Sequence, residues 1–232
     1  MISGPSGIGK TTIAKHLAER FNIDYVSGSI SDLIPDTKGL KHSDMLSKTS
    51  EQLVKEDYQL LNLRNKLFRL KTDFVTDRSY LDSAAYFLYK QSTKLPTCEI
   101  DQFINLCKML ISQQCDLLVL FGLVPEDLNN WLVENNDKRI LNTYYQIQMS
   151  SIMTDVLEYM GMEVYYTMES YKPSLFTKSI NFNRPITIGN IHSPQGDTSV
   201  LIIPDLNKDH RISLLEAFIT KLKATKLKSN SL

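Results

Sequence analysis

The stretch Gly4-Pro-Ser-Gly-Ile-Gly9-Lys10-Thr11 decides the fold. It matches the pattern G-x-x-x-x-G-K-[ST] without a gap. Its glycines allow backbone angles that are closed to other residues, and they remove side chains that would block an anion. Successive backbone N–H groups can then point inward, and a helix that begins near Lys10 adds its positive dipole end. The pattern predicts a phosphate-binding loop between a short strand and a helix.

Each part of this loop has an expected role in binding a nucleoside triphosphate. We expect Lys10 to reach the β- and γ-phosphates of ATP and the Thr11 hydroxyl to hold Mg²⁺, with Thr12 as a secondary phosphate contact. The expected nucleotide-binding residues are Gly4, Pro5, Ser6, Gly7, Ile8, Gly9, Lys10, Thr11 and Thr12. Only residues 1–3 precede the loop, so either the first strand is minimal or the true start lies upstream.

Strand and helix patterns alternate from this loop to residue 168. Apolar residues at helical spacing follow the loop, and short strands are predicted at 24–26, around 73–77 and at 162–168. The continuous apolar run Leu117–Phe121 is typical of an interior parallel strand. The alternation predicts an α/β fold, namely a P-loop NTPase three-layer sandwich with a central, mainly parallel sheet and helices on both faces.

The C-terminal part of the chain fits this alternation less well. Prolines and glycines interrupt residues 170–198, where we expect loops and short strands. A sheet strand is predicted at 200–203 and a final helix from 212 to about 223, followed by a basic tail that is expected to fray. We expect residues 1–232 to form a single domain, with the divergent segment 170–232 packed on it.

A second candidate site is the carboxylate of Asp77, at the end of an apolar strand. In a parallel sheet, ligands bind beyond the carboxyl ends of the strands, which is also the edge that carries the phosphate loop. Asp77 can bind a metal there through water or accept a proton from an attacking hydroxyl. Arg78 beside it offers a planar fork suited to phosphate oxygens. The alternative is that Asp77 caps the next helix and that Arg78 is solvated.

Residues 4–12 together with Asp77-Arg78-Ser79 resemble the thymidylate-kinase-like branch of P-loop kinases. Members of that branch carry an Asp-Arg-aromatic or Glu-Arg-Ser element after their third strand. The resemblance implies that Asp77 acts near the acceptor hydroxyl or Mg²⁺, and that Arg78 holds acceptor and phosphoryl oxygens. Segment 77–86 also resembles kinases of this branch from tailed phages. Because thymidylate-type kinases are commonly dimers, the resemblance further implies a homodimer.

A lid is the next feature expected of a nucleotide kinase. Such enzymes close a segment with cationic residues over the transferring phosphoryl group. The helix pattern breaks at Asn135-Asn-Asp-Lys138-Arg139, which places a short lid at about 134–143. We expect Arg139 to be its catalytic cation, with Lys138 behind it. The alternative is a solvated helix junction.

The acceptor side of the site has further candidates. Arg64 and Arg69 lie on a polar helical stretch before the Asp77 strand, and we expect both to be solvated rather than to contact an acceptor. Aromatic residues follow Arg78 at helical spacing, which favours core packing over stacking on an acceptor base. These aromatic residues are Tyr80, Tyr86 and Phe87.

Composition narrows the class of protein. Twenty-six basic and 26 acidic residues cancel, which argues mildly against a chain whose main task is gripping a nucleic-acid backbone. No apolar run approaches the ~20 residues that span a bilayer, so we expect no membrane association. Cys98, Cys107 and Cys115 lack metal-ligand spacing and are expected to be buried thiols. The expected location is the cytoplasm, or the host cytoplasm for a phage protein.

These observations predict an ATP- and Mg²⁺-dependent phosphotransferase. Its expected acceptor is a small molecule, a deoxynucleoside or deoxynucleoside monophosphate. One alternative is a kinase of the same branch that acts on a hydroxymethylated base in DNA, such as 5-hydroxymethyluracil, and the basic C-terminal tail favours it. A second alternative is a P-loop ATPase or GTPase. Against it, the sequence has no Asn-Lys-x-Asp element, and the strand ends in Asp77-Arg78 rather than Asp-Glu.

Overall fold

The computed structural model describes residues 1–34, 48–122, 143–168, 186–192, 198–203 and 208–229. The expected lid cations Lys138 and Arg139 lie outside the described residues, as does most of segment 170–208. The placement of the phosphate loop, Asp77 and Arg78 can therefore be examined, whereas the lid stays a prediction.

The described strands form a mixed central sheet and a separate strand pair. They are β1 (Ile2–Ser3), β2 (Asp24–Val26), β3 (Phe74–Thr76), β4 (Leu117–Phe121), β5 (Met162–Met168), β6 (Ile186–Ile191) and β7 (Thr198–Ile203). The five-stranded sheet has the order β1-β4-β7-β6-β5, and β2 pairs with β3. Strands β1, β4 and β7 pair in parallel, as do β2 and β3, whereas β6 runs antiparallel to both β5 and β7.

The helices connect these strands and cover them. They are α1 (Lys10–Phe21), α2 (Ile30–Leu33), α3 (Ser50–Arg69), α4 (Tyr80–Gln91), α5 (Thr97–Gln114), α6 (Thr143–Tyr159) and α7 (Lys208–Ser229). A search of the described helices finds none with the length and apolar character needed to cross a membrane.

Alternate residues of β4 face two different cores, as expected for a strand covered on both sides. Leu118 and Leu120 belong to a buried cluster that also contains side chains of α3, α4, α5 and α6. Val119 and Phe121 belong to a second buried cluster that contains side chains of α1 and α7. The sheet therefore lies between two layers of helices, and the predicted three-layer α/β sandwich is confirmed.

Most element predictions for the first two thirds of the chain are confirmed, including the strands at 24–26, 117–121 and 162–168. The C-terminal region differs more. Strand β6 makes the sheet mixed rather than mainly parallel in its pairing. The helix α7 begins at Lys208 and continues to Ser229, so it starts before the predicted residue 212 and extends past the predicted end at about 223. Its side chains pack on α1, where Lys223 Nζ lies 5.1 Å from the centre of the Phe21 ring.

Candidate active site

The phosphate loop joins β1 to α1, and its backbone has the shape that glycine permits. Gly4, Gly7 and Gly9 have φ angles of 144°, 86° and 80°, which other residues rarely adopt. A Cβ atom on Gly4 would lie 2.5 Å from Ile8 Cδ1 and 2.8 Å from the carbonyl oxygen of Phe121. Both the angle and the space at position 4 therefore require glycine. Gly9 is the residue that caps the N-terminus of α1.

Lys10 is folded into this loop. Its side chain is buried, and Nζ donates hydrogen bonds to the carbonyl oxygens of Gly4, at 2.8 Å, and Pro5, at 2.6 Å. By exchanging one of these carbonyl contacts, the ammonium group can meet an anion that enters the loop. The buried position places a full positive charge against the backbone of the loop.

Asp77 meets the phosphate loop at Thr11. The Thr11 hydroxyl donates a hydrogen bond to Asp77 Oδ2, although 66 residues separate the two. The buried carboxylate also accepts hydrogen bonds from Tyr25 Oη, at 3.1 Å, and from the backbone N–H of Gly28, at 3.3 Å. These contacts show that the end of β3 lies against the start of α1, as the sequence predicted.

The Thr11–Asp77 pair has the chemistry of a magnesium site. Mg²⁺ prefers oxygen ligands, retains several waters and is usually bound through one or two carboxylates plus substrate phosphates. Among the described residues there is no cluster of three or more His, Cys, Asp or Glu side chains that could hold a metal. The donor set therefore fits a metal shared with a nucleotide rather than one enclosed by protein ligands alone.

Tyr25 supports the Asp77 carboxylate from the neighbouring strand β2. Burial and, after it, the negative charge of Asp77 raise the pKa of Tyr25 to about 12. The phenol therefore keeps its proton at neutral pH and remains a donor to Asp77. Lys15 Nζ lies 5.5 Å from the centre of the Tyr25 ring.

Arg78 is held by a carboxylate that sequence reasoning did not single out. Its Nη1 lies 2.9 Å from Asp82 Oδ1, and the Asp82 side chain is almost fully buried. Asp82 also accepts hydrogen bonds from Ser3 Oγ, at 2.8 Å, and from the backbone N–H of Ser79, at 2.9 Å. Burial by itself would raise the pKa of Asp82, but the positive charges of Arg78 and Lys10 outweigh it, and the pKa is lowered.

The first turn of α4 explains how Arg78 is oriented. The N-cap of α4 is Ser79, which forms a reciprocal capping box with Asp82. Asp77 therefore does not cap this helix, and Arg78, with 22% of its side chain exposed, is not simply solvated. The structure contradicts both parts of that alternative. A capping spacing of Ser79 and Asp82 in the sequence was the signal that could have identified Asp82.

Arg64 is buried, so the expectation that it is solvated is wrong. Its Nε and Nη2 donate to the carbonyl oxygen of Gly28 at 3.0 and 2.7 Å, and Nη1 donates to Ser83 Oγ. Burial is the largest influence on this guanidinium and lowers the pKa of Arg64 to about 10. Because the N–H of Gly28 donates to Asp77, Arg64 helps to hold the segment that supports the carboxylate. Arg69 is exposed, as expected.

The three aromatic residues after Arg78 differ in burial. Tyr80 and Phe87 are fully buried, and Phe87 stacks on Phe103 with 3.9 Å between ring centres. Their predicted core role is confirmed. Tyr86 is only half-buried. It hydrogen-bonds the side chain of Tyr145 on α6, whose pKa is raised by burial and by Tyr86.

An open groove of about 360 Å³ continues from the phosphate loop along α1 toward α7. Its lining residues are Thr11, Thr12, Lys15, His16, Glu19 and Ile212. Within it, His16 Nε2 lies 2.9 Å from Glu216 Oε1, which links α1 to α7. This contact gives His16 a structural role between the two helices.

Similarity to known proteins is concentrated in the part of the chain that carries the loop. A family model described as AAA domain matches residues 1–171, which include the phosphate loop, Asp77 and Arg78. No curated protein matches the chain. Among solved structures, the chain is similar to the YorR protein from Bacillus subtilis, whose crystal structure is a complex with phosphorylated GDP. That similarity has 15% sequence identity and a TM-score of 0.46, and it covers 71% of this chain and 81% of that chain.

Proposed function

The chain belongs to the AAA-domain family, and from the geometry of its site we propose that it is an ATP-dependent phosphotransferase. Its reaction moves the γ-phosphate of ATP to a deoxynucleoside or deoxynucleoside monophosphate, as in the thymidylate-kinase-like branch. The observation that carries the proposal is the meeting of Lys10, Thr11, Asp77 and Arg78 at one edge of the sheet. That edge is where a triphosphate and its acceptor can be brought together.

The loop residues bind the triphosphate in this proposal. The inward N–H groups and the Lys10 ammonium take the β- and γ-phosphate oxygens, for which Lys10 exchanges one of its carbonyl contacts. Thr11 and Asp77 would hold Mg²⁺, which would neutralise the charge that develops on the phosphoryl oxygens. Asp77 Oδ2 already accepts from Thr11 and Tyr25, and these contacts favour an orienting and metal-holding role over proton acceptance.

Arg78 serves the acceptor side. Asp82 fixes one of its terminal nitrogens, and this leaves the rest of the planar fork to face an incoming phosphoryl or acceptor oxygen. A guanidinium held in this way loses less conformational freedom when it binds an oxyanion. Arg139 remains the proposed lid cation.

Two alternatives have specific observations in their favour. A kinase that acts on a hydroxymethylated base in DNA is favoured by the exposed Lys221 and Lys223 on α7. A P-loop ATPase without an acceptor is favoured by the family description. The strand end Asp77-Arg78 favours phosphotransfer over water activation, because it places a cation where a water-activating carboxylate would be needed.

One experiment separates these functions. The full chain is supplied with Mg²⁺ and ATP labelled at the γ-phosphate, together with thymidine, dTMP, other deoxynucleotides or DNA that contains 5-hydroxymethyluracil. We expect label on a free deoxynucleoside or its monophosphate, and none with Lys10→Ala. Label on the DNA supports the first alternative, and release of inorganic phosphate with no labelled acceptor contradicts the kinase proposal.

A further inference from the structure

Arg211 is a buried arginine that lies directly behind the phosphate loop. It stands in the first turns of α7, far along the chain from the loop, and only 2% of its surface is exposed. Its Nη1 donates to the carbonyl oxygen of Ile8 at 3.0 Å, and its Nη2 contacts the carbonyl oxygen of Gly122 at 3.5 Å. The guanidinium also lies over the Phe121 ring, 5.0 Å from its centre. These contacts account for the burial of Arg211, because arginine is almost never fully buried unless it is paired.

The contact with Ile8 fixes one peptide plane of the loop. A peptide unit is planar and trans, so its C=O and N–H point in opposite directions. When Arg211 holds the Ile8 carbonyl on the outer side of the loop, the N–H of Gly9 must point to the inner side. That N–H belongs to the residue that caps α1, where backbone donors meet a bound anion.

We propose that Arg211 is a positioning residue for nucleotide binding: by holding the Ile8 carbonyl, it keeps the Gly9 N–H directed at the polyphosphate. The inference rests on the proposed function, because it presumes that the loop binds a nucleotide. It adds a residue beyond residue 171, where the family match ends. If so, the divergent C-terminal segment contributes to the site by holding the phosphate loop in its binding conformation.

The charge of Arg211 acts in the same direction as its geometry. A guanidinium stays protonated under all ordinary conditions, and it is screened little by salt when it is buried. Its positive charge next to the loop therefore adds to the attraction for phosphate oxygens. Lysine at this position retains the charge but lacks the fork that contacts Ile8 and Gly122 together. The two contributions can thus be separated by substitution.

The test compares Arg211→Met, Arg211→Lys and the control Arg20→Met in the full chain. Arg20 is an exposed arginine of α1 that pairs with Glu216 of α7, so its loss perturbs the same helix contact without touching the loop. Calorimetry measures the affinities for Mg·ATP, ADP and AMP, and circular dichroism measures folding. We expect Arg211→Met to weaken Mg·ATP and ADP binding about tenfold or more. AMP has no β-phosphate to fill the loop, so its affinity should change less than about twofold.

The outcomes distinguish positioning from mere structural support. Mg·ATP affinity within about twofold of wild type in folded Arg211→Met overturns the inference, and so does an equal loss for AMP and ATP. If Arg211→Met does not fold, Arg211→Lys provides the test. We expect this variant to bind Mg·ATP about threefold more weakly than wild type and AMP equally well. Wild-type affinity for Mg·ATP in Arg211→Lys would overturn the inference. Failure of the wild-type chain to bind Mg·ATP would instead defeat the proposed function itself.

Discussion

Replacing Asp77 with asparagine removes one charge from the site and changes almost nothing in its shape. The buried carboxylate accepts hydrogen bonds from Thr11, Tyr25 and Gly28, and asparagine retains one oxygen and gains an NH₂ group. Thr11 and Tyr25 donate to Oδ2, whereas Gly28 donates to Oδ1. An NH₂ at the Oδ2 position keeps the Gly28 bond and requires the hydroxyls to turn and accept, whereas an NH₂ at the Oδ1 position loses the Gly28 bond. At most about one buried hydrogen bond is therefore lost.

The magnitudes follow from these contacts. One lost hydrogen bond costs about 1 kcal/mol of unfolding free energy, which lowers the Tm of a chain of this size by about 2–4 °C. The effect on turnover should be much larger than the effect on stability, because the substitution removes the negative charge that would hold the metal and leaves the other site residues unchanged. We expect kcat to decrease about 10²- to 10³-fold, equivalent to about 2.7–4 kcal/mol of transition-state stabilisation. The affinity for ATP should stay within about threefold, since Lys10 and the loop are unchanged.

The assay measures phosphotransfer with labelled ATP at several Mg²⁺ concentrations, with ATP affinity and Tm measured on the same preparations. Asp73→Asn is the matched control, because Asp73 is exposed and precedes the same strand β3. The control should behave as wild type. Full turnover in Asp77→Asn would refute the role assigned to this carboxylate, and a parallel loss of ATP affinity would show that it acts in binding instead.

Three further predictions test the loop and the pair beside it. Lys10→Ala should abolish phosphotransfer in the labelled-ATP assay, and retained activity would show that this ammonium does not serve the phosphates. Gly4→Ala should lower the Tm and Mg·ATP affinity together, since its Cβ meets the Phe121 carbonyl oxygen at 2.8 Å; a wild-type melting curve would contradict this. Burial would raise the pKa of Asp82, but the charge of Arg78 lowers it below the ordinary value of 3.8. The ionised Asp82 therefore stabilises the folded protein above pH 3.8, and this stabilisation is lost as the pH falls through the lower pKa of the folded state. Below about pH 4, the free energy of unfolding measured with urea should therefore fall more steeply with decreasing pH for wild type than for Asp82→Asn. Equal slopes against pH would contradict the pairing of Asp82 with Arg78.

Local sequence patterns predicted the phosphate loop well because its shape depends on consecutive residues. The positive φ angles fall on Gly4, Gly7 and Gly9, where the motif requires glycine. Asp77 could be placed for a related reason, since the carboxyl end of a parallel strand must lie at the loop's edge of the sheet. The apolar run 117–121 likewise predicted β4, because a continuous apolar run is typical of a strand that is buried on both faces.

Contacts between distant parts of the chain were beyond this kind of reasoning. The Arg211–Ile8 pair spans 203 positions, and no spacing in the sequence links the two residues. Arg64 lies on a helix with many polar residues, and its burial depends on how that helix meets the Gly28 segment. Short strands were expected around β6, but its antiparallel pairing with β7 was not predicted, because that pairing is set by tertiary packing rather than by the pattern of the strand itself.

The central claim is that the glycine loop with Lys10 binds the polyphosphate of a metal-bound nucleotide. Isothermal titration calorimetry of Mg·ATP into the full wild-type chain tests it most directly, with Lys10→Ala and an excess of EDTA as comparisons. We predict saturable binding at one site with a Kd below about 1 mM, weakened strongly by the substitution and much less by removal of Mg²⁺. Absence of binding to the folded wild-type chain, or equal binding by Lys10→Ala, would contradict the claim.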